Sequence, residues 1–291
     1  MLTAPRDERQ SPAQHSLKRN RPEPYFAAVE RAGRIVGAAV WKPPHKLVLS
    51  YLDNASEAAD AARLLADDLS YTQPELPGVL RLKAFSRAFS ERWTQRTGRV
   101  HREQTAMRIF QLDAVAHPRR VSGALRRATT DDRDLLIEWT HAFRSAIGEE
   151  PEHQQSERAA TSGLALVAGG KQPDPPQPPG RAIYVWVGSQ SHSQTSTPLS
   201  MAACTGCSPN GVRINMVYTP SEDRRRGYAT ACVAALSQLL VDTGRRYCFL
   251  FTDPANPTSN HIYHQIGYRP VCDVDKYAFE LAQASASQSR P

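Results

Sequence analysis

The chain has 291 residues, a 40% apolar fraction and 22 prolines, so two units carrying polar tails and insertions are expected rather than one uniform core. No apolar run approaches the ~18 residues that span a bilayer, and residues 1–22 hold no hydrophobic block of the kind a signal peptide needs. A cytoplasmic protein with no membrane partner is expected. The formal charge of +7 is spread over small groups such as Lys18-Arg19, Arg126-Arg127 and Arg224-Arg225-Arg226, without interleaved aromatics for base stacking, which argues against a nucleic-acid partner.

Residues 1–23 are polar and aperiodic and read as a disordered tail, as do 283–291. From Tyr25 the texture changes. Two alternating runs, 25–30 and 35–41, flank a turn at Ala32-Gly33 and predict a β-hairpin. Ala- and Leu-rich 55–69 predicts a helix, 79–84 a strand, 85–97 a helix and 106–112 a strand. Together these form an αβ unit over 24–115.

A second unit is expected over 122–282. Thr130 is placed to cap a helix whose stripe is Leu135, Trp139, Ala142, Phe143 and Ala146. A second helix follows over 152–167. The Pro-rich stretch 169–180 predicts an exposed loop. Strands over 182–187, 199–204 and 212–219 come next, with the polar tract 189–196 as a hairpin tip. The clearest helix is 227–243, with Ala229, Cys232, Val233, Leu236, Leu239 and Leu240 in one stripe and Gly244 at its end. A strand over 247–252, a short helix over 258–265 and strand material over 268–281 complete the order. The fold class is therefore α/β (α+β), a mixed central sheet flanked by helices.

Five cysteines (Cys204, Cys207, Cys232, Cys248 and Cys272) make an odd set without a framework. They read as thiols of a reducing compartment. Cys204-x-x-Cys207 lacks a partner pair, and the nine histidines show no ligand spacing, so no metal is expected.

The strand over 214–219 runs into Arg224-Arg225-Arg226-Gly227-Tyr228-Ala229, where the strong helix opens. Free N–H groups at a helix start, aided by the helix dipole, suit a pyrophosphate. Gly227 lets an anion approach the backbone, and the arginines supply charge-assisted contacts. Downstream, Asn256, Ser259 and Tyr263 recur at spacings of three and four, which puts them at the entrance and along one face of the short helix. A phenol there could donate a proton to a thiolate leaving group. By spacing alone, Tyr263 reads equally as a half-buried core tyrosine.

These two elements together resemble the GNAT (GCN5-related N-acetyltransferase) superfamily. Arg224-x-x-Gly227-x-Ala229 is similar to its acyl-CoA loop. Asn256, Ser259, Tyr263, Gly267 and Tyr268 are similar to its later Asn-x-x-Ala/Ser-x-x-x-Tyr-x-x-x-Gly-Phe/Tyr segment. Leu125 to Thr129 followed by Asp132 resembles the opening of the fold. Val217-Tyr218-Thr219-Pro220 leading into the arginines looks closest to the FR47-like subgroup.

The resemblance implies an acetyl-CoA-dependent transferase acting on an amine, with no covalent acyl-enzyme. By it, Val217, Tyr218 and Thr219 form a splayed strand that pairs with the pantetheine arm. Arg224, Arg225, Arg226, Gly227, Tyr228 and Ala229 hold the pyrophosphate, Asn256 and Ser259 contact the CoA arm, and Tyr263 protonates the departing thiolate. The general base does not transfer: residues 212–219 contain no acid, which leaves Glu149 and Glu150, between the first two helices of this unit, as candidates. Unit 24–115 resembles a degenerate GNAT-like half, and its counterpart loop around 48–58 lacks both Arg and Gly. A non-catalytic acyl-CoA-binding module remains open as an alternative. A nucleotide binder of another class would need a phosphate loop that the sequence lacks.

Overall fold

A computed structural model describes residues 23–50, 54–116, 118, 121–149, 152–164, 181–188, 197–206 and 208–281. The expected tails, the Pro-rich loop and the polar hairpin tip fall essentially outside these residues, as do Glu150 and Cys207.

The first half contains β1 (Tyr25–Arg31), β2 (Arg34–Trp41), β3 (Leu47–Leu49), α1 (Ala55–Thr72), β4 (Gly78–Leu82), α2 (Lys83–Thr97) and β5 (Val100–Leu112). The second contains β6 (Ala124–Arg127), α3 (Arg133–Ala146), α4 (His153–Leu164), β7 (Ala182–Val187), β8 (Pro198–Thr205), β9 (Gly211–Tyr218), α5 (Tyr228–Asp242), β10 (Tyr247–Thr252), α6 (Pro257–Ile266) and β11 (Arg269–Glu280). The mixed α/β architecture follows the sequence reading. Two details differ. The three-residue β3 was not expected, because a run so short carries no periodic signal. The turn before α3 opens at Thr129 rather than Thr130: the Thr129 N–H donates to Asp132 Oδ2 at 2.8 Å. Arg126 then grips that carboxylate through two nitrogens at 2.7 Å each.

The eleven strands of the described residues belong to one sheet, ordered β1-β2-β3-β4-β11-β5-β10-β9-β8-β7-β6. The order crosses the boundary between the halves three times. β5, from the first half, lies between β10 and β11 and opposes both antiparallel, with Leu112 facing Cys248. β11, from the second half, lies between β4 and β5. Each half thus ends on a strand that completes the sheet of the other.

Core packing repeats this exchange. Phe279 on β11 stacks on Trp93 and Phe89 of the first half, with centroids 5.3 and 6.2 Å apart. Phe110 and Leu112 of β5 are buried in the second half's core beside Leu250, Tyr263 and Ile266.

In the second half the helices cover both sheet faces. α5 and α6 pack on Val212, Ile214, Cys248 and Leu250. On the other face, α3 and α4 bury Leu136, Trp139, Ala160 and Leu164 against Ile183, Val185 and Met201. The α3 stripe therefore centres on Leu136, Ile137, Trp139 and Thr140, one step from the stripe expected, with Ala146 exposed. β7 is buried along its whole length, as its continuous AIYVWV run requires of a strand covered on both sides. Gly163 lets α4 settle on β7: a Cβ there would meet Ile183 Cγ1 at 2.6 Å.

Candidate active site

β9 and β10 run parallel only from Gly211–Tyr247 to Arg213–Phe249. Beyond that vertex they part, although β9 continues to Tyr218 and β10 to Thr252. A bulge in β9 drives the separation. Met216 adopts φ +51, and the pairing with β8 shifts between Met201 and Ala203. A side chain other than glycine or asparagine in this region costs ~1–2 kcal/mol, and such strain gathers at functional sites.

Upstream of the bulge the faces alternate: Val212 and Ile214 join the α5 core, while Arg213 and Asn215 border a cavity on the α3–α4 side. At the bulge two successive residues, Asn215 and Met216, border that cavity, after which Val217 returns to the α5 face and Tyr218 to the α3 face. The wedge between the strands is thus edged by β9 backbone that β10 does not pair.

The three β9 positions singled out by sequence have different surroundings. Tyr218 opposes Met201 of β8, its carbonyl accepts Ser200 Oγ at 3.0 Å, and its ring lies 5.9 Å from Trp139. Thr219 is buried, its hydroxyl 2.9 Å from Ser200 Oγ, and its carbonyl accepts Arg224 Nε at 3.1 Å. Val217 is therefore the position of the three whose backbone is best placed to meet a ligand in the wedge.

The wedge leads to the start of α5. Gly227 is its N-cap at φ +84, with no side-chain cap and no acid in the first turn. Helix geometry leaves the first N–H groups without internal partners. Two other helices use side-chain caps: Asn54 caps α1 through Ser56 and Glu57 N–H, and Asn256 caps α6 through Ser259 N–H at 3.0 Å. Gly227 also leaves room where a Cβ would meet Val121 Cγ2 at 2.9 Å.

Arg224, Arg225 and Arg226 are exposed before this start. Arg224 braces the loop through Thr219, Arg225 takes φ +63, and Arg226 pairs with Asp223 at 3.3 Å. Tyr228 edges the α5 core, and Ala229 is half-buried in the first turn. This combination of bare amide donors, a positive dipole end and arginines suits an anionic phosphate group.

Tyr263 lies on α6 with its ring 6.3 Å from Phe110 and 5.9 Å from Tyr268. Only 8% of it is exposed, and burial pushes its phenol up to about 12. Its hydroxyl has no hydrogen-bond partner among the described residues, whereas that of the neighbouring Tyr268 is bound to Ser237 at 2.8 Å. Tyr263 is buried in the apolar cluster against whose edge Val217 and Tyr228 pack. Asn256 and Ser259 are at the entrance of the same helix.

Cys232 and Cys248 are buried, and desolvation pushes both thiols up to about 12. At neutral pH they are protonated core groups, as the sequence suggested. Glu149 is 2.9 Å from Arg144 Nη2. Among the described residues, no group of three His, Cys, Asp or Glu side chains is arranged to hold a metal, and no helix is long and apolar enough to cross a membrane.

The FR47-like protein family model matches residues 196–277, a span that holds the wedge, the α5 start and α6. Over this span the chain is similar to FR47-like proteins. Its fold is similar to an acetyltransferase of the GNAT family from Colwellia psychrerythraea, at TM-score 0.52 and 10% identity over 87% of this chain and 84% of that one. A GCN5-related N-acetyltransferase from Kribbella flavida gives 0.52 and 12% over 88% and 89%. One from Sphaerobacter thermophilus gives 0.50 and 13% over 86% and 78%. These likenesses extend through both halves of the chain. No curated protein sequence matches it.

Sequence reasoning missed the cavity residues beside the wedge, chiefly Arg144, Arg181 and Arg213. Arg213 left a trace, since it and Asn215 alternate with the apolar Val212 and Ile214. That pattern reads as a solvent face until α3 and α4 are seen to cover it.

Proposed function

We propose that the chain is an acetyl-CoA-dependent N-acetyltransferase that passes the acetyl group directly to an amine. The parting of β9 and β10 in front of an uncapped, arginine-flanked helix start carries this reading. It offers unpaired strand backbone for an amide-bearing pantetheine arm, in the manner of β-augmentation, and bare N–H donors for the pyrophosphate. Val217 supplies the strand contact, Gly227 to Ala229 the amide donors, and Arg224 to Arg226 the counter-charge. Asn256 keeps its side-chain N–H donors available for the CoA arm, since its oxygen is taken by the cap, and Ser259 borders the same entrance.

The acceptor approaches from the cavity on the α3–α4 side, which ends at the Met216 bulge. Its nitrogen attacks the thioester carbonyl, a C–N bond forms, the C–S bond breaks and the sulfur departs as thiolate, which is neutralised by the proton that the acylated nitrogen sheds, leaving amide and CoA thiol. Tyr263 donates to that sulfur. A phenol held near 12 is a weaker acid than a thiol of about 8.5. It therefore stabilises the departing charge chiefly through a hydrogen bond, its proton always in place at neutral pH. Glu149 borders the cavity but is committed to Arg144, so the ammonium proton is better lost before the amine enters.

Following thiol release from acetyl-CoA with a panel of primary amines tests the reading. Amine-dependent release, with the acetylated amine identified by mass, is expected. Tight CoA binding without release for any amine would favour the acyl-CoA-binding module instead.

A further inference from the structure

The cavity between α3, α4 and the sheet encloses about 320 Å³ and ends against Met216 at the bulge. That volume is at the small end of ligand sites. Its floor and walls are apolar, including Phe143, Ile183 and Ala203, but three arginines also border it: Arg144, Arg181 and Arg213. Among the described residues they face a single lining carboxylate, Glu149.

The three arginines are not equally satisfied. Arg144 holds Glu149 at 2.9 Å and Gln155 Oε1 at 2.8 Å. Among the described residues, Arg181 reaches only a neutral group, Ser162 Oγ, at 2.7 Å. Arg213 has neither a carboxylate nor a hydrogen-bond partner among the described residues. It lies over the Phe251 ring, 4.5 Å from the centroid, and its Nε is buried without a partner. Burial lowers its pKa, although a guanidinium stays charged at any physiological pH.

Removing a charge from water costs several kcal/mol unless an opposite charge replaces the lost hydration. A ring face repays part of that cost. A half-buried guanidinium with no anion, at the vertex where β9 leaves β10, is a preformed fork for one. We propose that the acceptor amine carries a carboxylate, held by Arg213 with Arg181 at the cavity mouth, so that the substrates are small amino acids rather than neutral amines.

The same arrangement bears on the missing base. Clustered guanidinium groups disfavour a second cation nearby. They therefore oppose entry of the ammonium form and favour the free amine that attack requires. The buried Oδ1 of Asn215, also without a partner, offers an acceptor for an amine N–H.

The proposal deepens the transferase reading and rests on it for the word acceptor, but its test does not need turnover. N-acetylated amino acids, as product mimics, are titrated by calorimetry into the CoA-bound protein beside their carboxamides. The acids should bind at least tenfold more tightly. Arg213→Met, which keeps an apolar stem over Phe251, should remove that preference with CoA affinity unchanged, and Arg213→Lys should restore part of it. Arg181→Gln, at an exposed residue, should weaken the acids severalfold and serves if Arg213→Met lowers the melting temperature. Equal binding of acids and amides, or no binding of either, would overturn the proposal. Selective binding of the acids with no acetylation of the free amino acids would uphold it and sink the transferase reading.

Discussion

Asn54 and Gly227 stand at corresponding helix starts in the two halves, and only Asn54 fills its own cap. Each begins the helix that links two parallel neighbouring strands, β3 to β4 and β9 to β10. At α1 the Asn54 side chain accepts from the N–H groups of Ser56 and Glu57, at 3.0 and 3.3 Å, and Glu57 adds a carboxylate to the first turn. At α5 no side chain caps the helix and its first turn holds no acid. The first start has spent its donors and carries the wrong charge for an anion; the second has not.

Titration of the full chain with CoA should accordingly give one site. Asn54→Ala should cost about 1 kcal/mol of stability and leave CoA affinity alone. A second site that persists when the α5 start is altered would show that the first half also binds.

Two substitutions at that start should weaken CoA binding with opposite effects on folding. Gly227→Glu places a side chain at φ +84 and against Val121, so it should lower both stability and affinity. Ala229→Glu adds a carboxylate to the first turn, where the dipole stabilises it by about 0.3–1 kcal/mol, while it repels a pyrophosphate. Melting curves and calorimetry on both variants separate the effects. Unchanged affinity in Ala229→Glu would remove the phosphate from this helix.

Tyr263→Phe keeps the ring against Phe110 and Tyr268. Loss of the donor should lower kcat by about 10²–10⁴-fold with CoA affinity nearly constant. A core tyrosine with no chemical part would instead give near-normal turnover.

The phenol also makes a statement about pH. Its folded pKa, about 12, is above the unfolded value near 10. The buried proton thus contributes stability that is whole below pH 10 and is lost as pH rises through 12. Urea melts from pH 8 to 11 should show wild type losing stability above pH 10 more steeply than Tyr263→Phe. The remaining loss in that variant belongs in part to Tyr268, whose phenol burial raises as well. Parallel curves would place the Tyr263 hydroxyl in water.

The exchange of β5 and β11 predicts one cooperative melting transition for the chain. A fragment of residues 118–291 lacks β4 and β5, which leaves β11 unpaired and β10 paired with β9 alone, and removes Phe110 and Leu112 from the core. It should aggregate alone and be rescued by co-expression with residues 1–117. A soluble fragment with a sharp melt of its own would contradict the reciprocal packing.

The sequence alone determined what is local. Helix α5, its glycine start, the β1–β2 hairpin and the Asn256 cap follow from periodicity and from residues with restricted backbone or hydrogen-bonding habits. The order of elements and the paired motifs gave the fold class and named Tyr263 and the Gly227 loop. Tertiary structure decided whatever depends on partners distant in the chain. That β5 pairs with β10 and β11 is invisible locally, because a strand's alternation records which face is buried and not which strand lies beside it. Arg213 reads as surface for the same reason. Only when α3 and α4 close over that face, and Gly163 lets α4 approach β7, does its guanidinium become a half-buried charge awaiting an anion.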